Sequence, residues 1–273
     1  MTDHWVHDLS PFLIKFWGNF GVRYYGLSYA LAFLIGYWLL TLYRKKGRLN
    51  IKDGDEITLI IVLVLGTMLG GRLGYMLLYD FHDFIRAPWI IVKVWQGGMS
   101  SHGGFIGVAL AALYLSKKFK TGMGRLSDVL ATLAPPGLFL GRIANFINGE
   151  LWGKVSDVSW AVIFPSSAPS WMPVAQIPAR HPSQLYEAGL EGLVLVIYTQ
   201  LRFWKSNISK EHPGQLAAEF LFLYGVLRIF VEQFREPDAS LILGLNRGIF
   251  YSVFMIITAI IVFYKARQVK HKD

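Results

Sequence analysis

GRIANFINGELWG, residues 141–153, closes an apolar run (126–144) long enough to cross a membrane. It sets Arg142, Asn145, Asn148 and Glu150 where hydrocarbon-facing side chains would otherwise continue. An arginine at mid-bilayer costs about 2.5–3.5 kcal/mol even on the gentlest insertion scale. A group that unfavourable is retained for a partner or a ligand, and the rest of the chain says which.

Working outward, the 273 residues are 53% hydrophobic and only 16% charged, with mean hydropathy +0.40. Such a chain is too apolar for an ordinary soluble domain and suits a polytopic membrane protein. The start, MTDHWVHDLS, lacks a basic n-region and is not read as a cleaved signal peptide. Spans are expected near 24–43, 57–79, 99–116, 126–144, 184–201, 213–234 and 248–264. Each is about long enough for ~30 Å of hydrocarbon at ~1.5 Å per residue. The third is short and opens on glycines.

The Lys and Arg residues sort across these spans. Sixteen fall in 44–56, 117–125, 202–212 and 265–273, eight in the alternate segments, and Arg72, Arg142 and Arg228 within spans. The positive-inside rule then gives seven spans, N-terminus out and C-terminus in. The expected fold is an all-α integral membrane protein, one polytopic domain over 1–273. Arg44-Lys45-Lys46 and Lys117-Lys118 read as anchors facing anionic membrane lipid. Nucleic-acid binding is not expected of so apolar a chain. Cysteine is absent, which excludes disulfides, thiolate metal sites and an intrinsic thiol nucleophile. His4, His7, His82, His102 and His181 show no metal-ligand spacing, so neither metal nor cofactor is expected.

Residues 5–17 mix aromatics with sparse charges and read as a short amphipathic helix in the outer interface. Two outer segments stand out, 80–98 with Trp89 and Trp95, and 145–183 with three tryptophans and five prolines. Long ordered loops are usually functional. The second should build a small outer cap, with VSWAVIFP (158–165) as a possible strand. Gly66, Gly70, Gly71 and Gly74 of span 2 and Gly103, Gly104 and Gly107 of span 3 read as a close helix contact.

Depth ties the polar residues together. Arg72, Arg142 and Arg228 each stand 15 or 16 residues above the inner end of their span, about 22–24 Å up. Glu187 and Glu191 enter from the outer side at roughly the same level. Tyr224, Arg228 and Glu232 follow at i, i+4 and i+8 on one face. His102 opens span 3, Ser183 is placed to cap span 5 after His181-Pro182, and Pro237 to stop span 6. Asn145 and Asn148 could satisfy the last carbonyls of span 4, with Gly149 ending the helix. This polarity exceeds what a bundle needs to hold together. Arginine forks suit phosphate, and the depth suits that of an outer-leaflet lipid.

Residues 141–153 resemble the signature G-R-x-[GA]-N-F-x-N-x-E-x-x-G of bacterial prolipoprotein diacylglyceryl transferases. The segments His102-Gly103-Gly104, Arg180-His181-Pro182-Ser183-Gln184-Leu185-Tyr186-Glu187 and Glu232 with Arg235-Glu236-Pro237-Asp238 resemble that family's other motifs, in order. The resemblance implies transfer of the diacylglyceryl group of phosphatidylglycerol to the lipobox cysteine of a pre-lipoprotein signal peptide, releasing glycerol 1-phosphate. It implies a bacterial cytoplasmic (inner) membrane location and a site toward the outer leaflet. The missing cysteine then belongs to the substrate. By resemblance, Arg142 and Arg228 hold the phosphate and stabilise the leaving group, and His102 is the candidate base. Asn145, Glu150, Gly153 and Tyr25 bind the headgroup, while Arg72, Glu187, Glu191, Tyr224, Glu232 and Arg235 support the site. The alternative reading is a lipid or anionic-solute transporter using the same arginines. A serine protease on Ser100-Ser101-His102 has only that triplet behind it.

Overall fold

The computed structural model describes residues 4–18, 20–78, 80–93, 98–237 and 241–268, with backbone alone at Ser101 and His102. Trp95 and Asp238 lie outside the described residues. Helices form over every segment expected to span: α1 (Tyr24–Lys45), α2 (Asp55–Leu78), then, after the short α3 (Phe81–Arg86), α4 (Ser101–Lys118) and α5 (Met123–Ile147). The fifth segment is α6 (Ser183–Glu187), a π-helix (Ala188–Val194) and α7 (Leu195–Lys205), followed by the short α8 (Ile208–Glu211), α9 (Gln215–Val231) and α10 (Arg247–Gln268). Four of the described helices, α1, α2, α5 and α10, are long and apolar enough to cross a membrane. The chain is therefore mostly helical and of membrane type.

The chain divides into two compact units, residues 36–127 and the remainder, with the boundaries inside α1 and α5. In the 36–127 unit, α2 packs along α4 through glycine. A Cβ on Gly70 would fall 2.4 Å from Gly103 O, and one on Gly107 1.9 Å from Gly66 O. The helices touch backbone to backbone, as a seam of small residues allows. Ser100 caps α4, its Oγ accepting from Gly103 N at 3.3 Å. That buried hydroxyl is occupied in holding a helix end, which argues against the protease reading. Arg44 pairs with both Asp53 and Glu56, tying the end of α1 to the start of α2.

The other unit carries a small cap. Trp5–Val6 (β1) pairs in parallel with Val162–Ile163 (β4). The pairing continues through Arg180, Val155, Gly153 and Arg235 as single bridges. Ala161, Ile163, Ile177 and Ala179 form its core, with Val6, Val158, Ala168 and Met172 packed around them. The strand expected in 158–165 is thus present. The amphipathic helix expected over 5–17 is not. Phe12–Trp17 (β2) and Phe20–Arg23 (β3) form an antiparallel hairpin instead. Pro11 disfavours helix for the residue before it, the run FLIKFW is rich in β-favouring side chains, and Gly18 turns the hairpin at φ +51°.

Candidate active site

Three arginines and three glutamates meet at the C-terminal ends of α5 and α9. Arg142 comes from the last turns of α5 and Arg228 from the last turn of α9. Glu232 and Arg235 follow α9 directly, in turns closed by i→i−3 bonds such as Phe234 N to Val231 O at 3.0 Å. The helix thus ends before the Pro237 stop, tightened rather than cut. Glu187 ends α6 and Glu191 lies in the π-helix. Its wider turn sets Glu191 and Gly192 at a rotation that a continuous α-helix would not give them. A Cβ on Gly192 would fall 2.6 Å from Phe139 Cα. Only glycine lets this strip approach α5 closely enough for its carboxylates to reach Arg142.

Glu187 is the hub. Its Oε2 lies 2.7 Å from Arg142 Nε and 2.9 Å from Arg228 Nη1, and its Oε1 lies 2.8 Å from Arg235 Nη1. Glu191 Oε1 stands 3.3 Å from Arg228 Nη1, and Glu191 Oε2 3.8 Å from Arg142 Nη2. Glu232 Oε2 completes the cluster 2.9 Å from Arg228 Nη2, its carboxylate resting against Gly248 in the first turn of α10, where a helix N-terminus favours negative charge. Glu187 and Glu191 are fully buried. Buried charges persist only when paired, and here three positive charges balance three negative ones.

The balance is uneven in space. Arg235 is 5% exposed, Arg228 12% and Arg142 19%. Among the described residues, Arg142 uses Nε on Glu187 and has only the 3.8 Å approach of Glu191 at Nη2. Among the described residues no carboxylate reaches its Nη1, so that edge of the fork is unspent while the other edge fixes its orientation. A planar pair of N–H donors held this way fits a phosphate.

The signature segment builds one wall. After α5, Gly149 at φ +64° and Leu151 at φ +57° turn the chain back, so Gly149 ends the helix as expected. Asn145 and Asn148 do not satisfy helix carbonyls. Both amides donate to Glu150 Oε1, at 2.7 and 3.3 Å, because the left-handed turn brings that carboxylate back over the last turn. Gln184 Nε2 donates to Glu150 O at 2.6 Å and Ser183 Oγ to Leu151 O at 3.1 Å. Ser183 is therefore the first helical residue rather than the cap, a role taken by Pro182, and its hydroxyl holds the signature turn. Gly153 N donates to His181 O at 2.9 Å. A Cβ there would fall 2.5 Å from Phe234 O and 2.6 Å from His181 O, so three segments cross at a point only glycine fills. From the cap, His7 Nε2 donates to Phe146 O at 2.7 Å.

Beside this wall runs a short polar chain. Trp160 Nε1 donates to Tyr186 Oη at 2.7 Å, and Tyr186 Oη lies 3.1 Å from His181 Nδ1. Indole only donates, so Tyr186 Oη accepts from Trp160 and shares its second bond with His181 Nδ1. Burial holds the His181 pKa below its ordinary value, in keeping with a neutral ring.

The remaining expected residues stand elsewhere. Tyr224 is one turn before Arg228 on α9. Tyr25, 37% exposed, is in the first turn of α1 with its ring 5.2 Å from Tyr29. Arg72 belongs to the 36–127 unit. Its guanidinium donates to the carbonyls of Ile90, Ile91, Lys93 and Gly98 at 2.7–3.2 Å, gathering the segment after α3. His102 is in the first turn of α4, its side chain outside the described residues. Sequence reasoning missed Asp128, a buried carboxylate within α5. The signal that singled out Arg142, an ionisable group inside an apolar run, applies to it equally.

Residues 11–265 match the family model described as prolipoprotein diacylglyceryl transferase. The chain is 42% identical to a Rhodospirillum rubrum protein named phosphatidylglycerol–prolipoprotein diacylglyceryl transferase, over 96% of this chain and 94% of that one. Proteins of the same name from Legionella pneumophila and Pasteurella multocida are 43% and 46% identical. The first alignment covers 86% of both chains, the second 82% of this chain and 78% of its relative.

Proposed function

The chain belongs to the prolipoprotein diacylglyceryl transferase family, and from that premise we propose how its residues divide the reaction. The protein transfers the diacylglyceryl group of phosphatidylglycerol to the lipobox cysteine thiol of a pre-lipoprotein, the first step of lipoprotein maturation. A carbon–sulfur bond forms at the diacylglyceryl carbon. The carbon–oxygen bond to phosphate breaks, glycerol 1-phosphate departs with the bonding pair, and the thiol loses its proton.

Arg142 and Arg228 grip the phosphodiester and stabilise the second negative charge that develops as the phosphate leaves. The observation that carries this role is the unspent edge of Arg142 beside a charge-balanced, buried cluster. The carboxylates orient the arginines in advance, so little reorganisation accompanies bond cleavage. Glu187, Glu191, Glu232 and Arg235 are the supports, with Tyr224 beside them. Asn145 and Glu150 direct the headgroup glycerol, Gly153 holds the wall, and Tyr25 borders the lipid. His102 accepts the thiol proton, since a thiol of pKa about 8.5 is a better nucleophile beside a base. Arg72 supports from the segment it gathers.

The helices act as seven spans, N-terminus out and C-terminus in, in the bacterial cytoplasmic membrane, with the site toward the outer leaflet. Sixteen Lys and Arg on one side against eight on the other support this orientation. One polytopic domain carries the outer segments 80–98 and 145–183. Both substrates, the lipid and the lipobox signal peptide, are membrane-embedded and arrive from within the bilayer.

Purified protein mixed with phosphatidylglycerol and a lipobox peptide should raise the peptide mass by one diacylglyceryl group. An intact, monodisperse preparation that yields no such product would refute the assignment.

A further inference from the structure

α5 and α9, the helices that carry Arg142 and Arg228, are also joined at their opposite ends. α9 starts at Gly214, which has φ +96° and no side chain to cap the helix. The cap comes from α5. Asp128 Oδ2 accepts from Gly214 N at 2.9 Å and Asp128 Oδ1 accepts from Ala217 N at 2.9 Å. The carboxylate is fully buried, and a helix N-terminus, with its free N–H groups and positive dipole end, suits it.

The spacing gives this cap a second consequence. Arg142 is fourteen residues beyond Asp128 on α5, and Arg228 is fourteen beyond Gly214 on α9. Equal lengths of about 21 Å from one clamp bring both arginines to one level, where both meet Glu187 Oε2 at 2.7 and 2.9 Å. The two helices are thus pinned at both ends. We propose that Asp128 is a positioning residue for the transfer reaction, fixing the register of α9 against α5 and so the relative height of the two arginines. The inference rests on the phosphate-gripping role given above to the arginine pair. The upper ion pairs orient the guanidinium groups, and the lower clamp keeps the register of the two helices that carry them.

A double-mutant cycle tests this, in full-length protein with phosphatidylglycerol and a lipobox peptide. Sites more than about 10 Å apart with no shared partners act additively, so coupling across this distance is diagnostic. Asp128→Ala should lower kcat at least about tenfold, as small misplacements of catalytic groups do, while KM for the lipid changes less. Arg228→Lys should lower turnover on its own. The double variant should fall no more than about twofold below Arg228→Lys, because a lysine that no longer grips the phosphate bidentately has little alignment left to lose. Multiplied single effects, or an Asp128→Ala enzyme with wild-type kcat and only a lower Tm, would overturn the positioning role. Wild-type turnover in Arg228→Lys would overturn the arginine-pair reading itself, and this proposal with it. Should Asp128→Ala fail to fold, Asp128→Asn, which keeps one carbonyl acceptor, carries the same cycle.

Discussion

At the scale of single residues, the proposed phosphate grip rests on how little of Arg142 is committed. Arg142→Ala should abolish turnover, and Arg142→Lys should restore little, since an ammonium cannot form the fork. A peptide-modification assay that finds near-normal rates in Arg142→Ala removes the phosphate role. Glu187→Gln has a different signature. It takes the shared anchor from three guanidinium groups, and breaking a buried ion pair typically costs about 3–5 kcal/mol, so both Tm and turnover should drop. His181 gives a pH dependence. Burial holds its pKa below 6.5, so the unfolded chain takes up the proton more readily than the folded one. Stability present above about pH 6.5 is therefore lost as the pH falls. Melting curves between pH 7 and 5 should show a falling Tm in the wild type and a flatter one in His181→Gln. Arg142, Arg228, Glu187 and Glu191 were legible in the sequence because charge inside an apolar run is conspicuous. The redirected amides of Asn145 and Asn148 were not, because a glycine that ends a helix does not announce that its left-handed turn brings the next side chain, Glu150, back over the last turn.

At the scale of elements, hydropathy located the helices well, because apolar runs of span length have few alternatives. It missed the hairpin over Phe12–Arg23, where a short aromatic run fits helix and strand equally and Pro11 with Gly18 decides. It also missed the π-helix, whose extra residue leaves no mark on composition. The glycine seam was legible as a spacing and acquires a test. A Cβ on Gly107 would stand 1.9 Å from the Gly66 carbonyl oxygen, whereas one on Gly104 meets nothing nearer than 3.8 Å. Gly107→Ala should therefore lower Tm in detergent, by the equivalent of about 1–3 kcal/mol for overpacking, and Gly104→Ala should leave it nearly unchanged. Equal effects of the two would mean that α2 and α4 do not meet along this seam.

At the scale of the whole molecule, charge placement along the sequence predicts sidedness, and the absence of native cysteine makes sidedness measurable. Ser170 and Asn207 are both exposed, and the expected topology puts them on opposite sides. A membrane-impermeant maleimide applied to intact spheroplasts should label Ser170→Cys and spare Asn207→Cys, and the reverse pattern would invert the orientation. In the proposed mechanism the signature segment is one wall of a lipid-headgroup site and the Arg142–Arg228 pair its grip on phosphate. The most direct test is a structure with phosphatidylglycerol bound. The phosphate should lie within hydrogen-bonding distance of both Arg142 and Arg228, with Glu187 still holding Arg235. A phosphate bound elsewhere, with both arginines unmoved on Glu187, would contradict it.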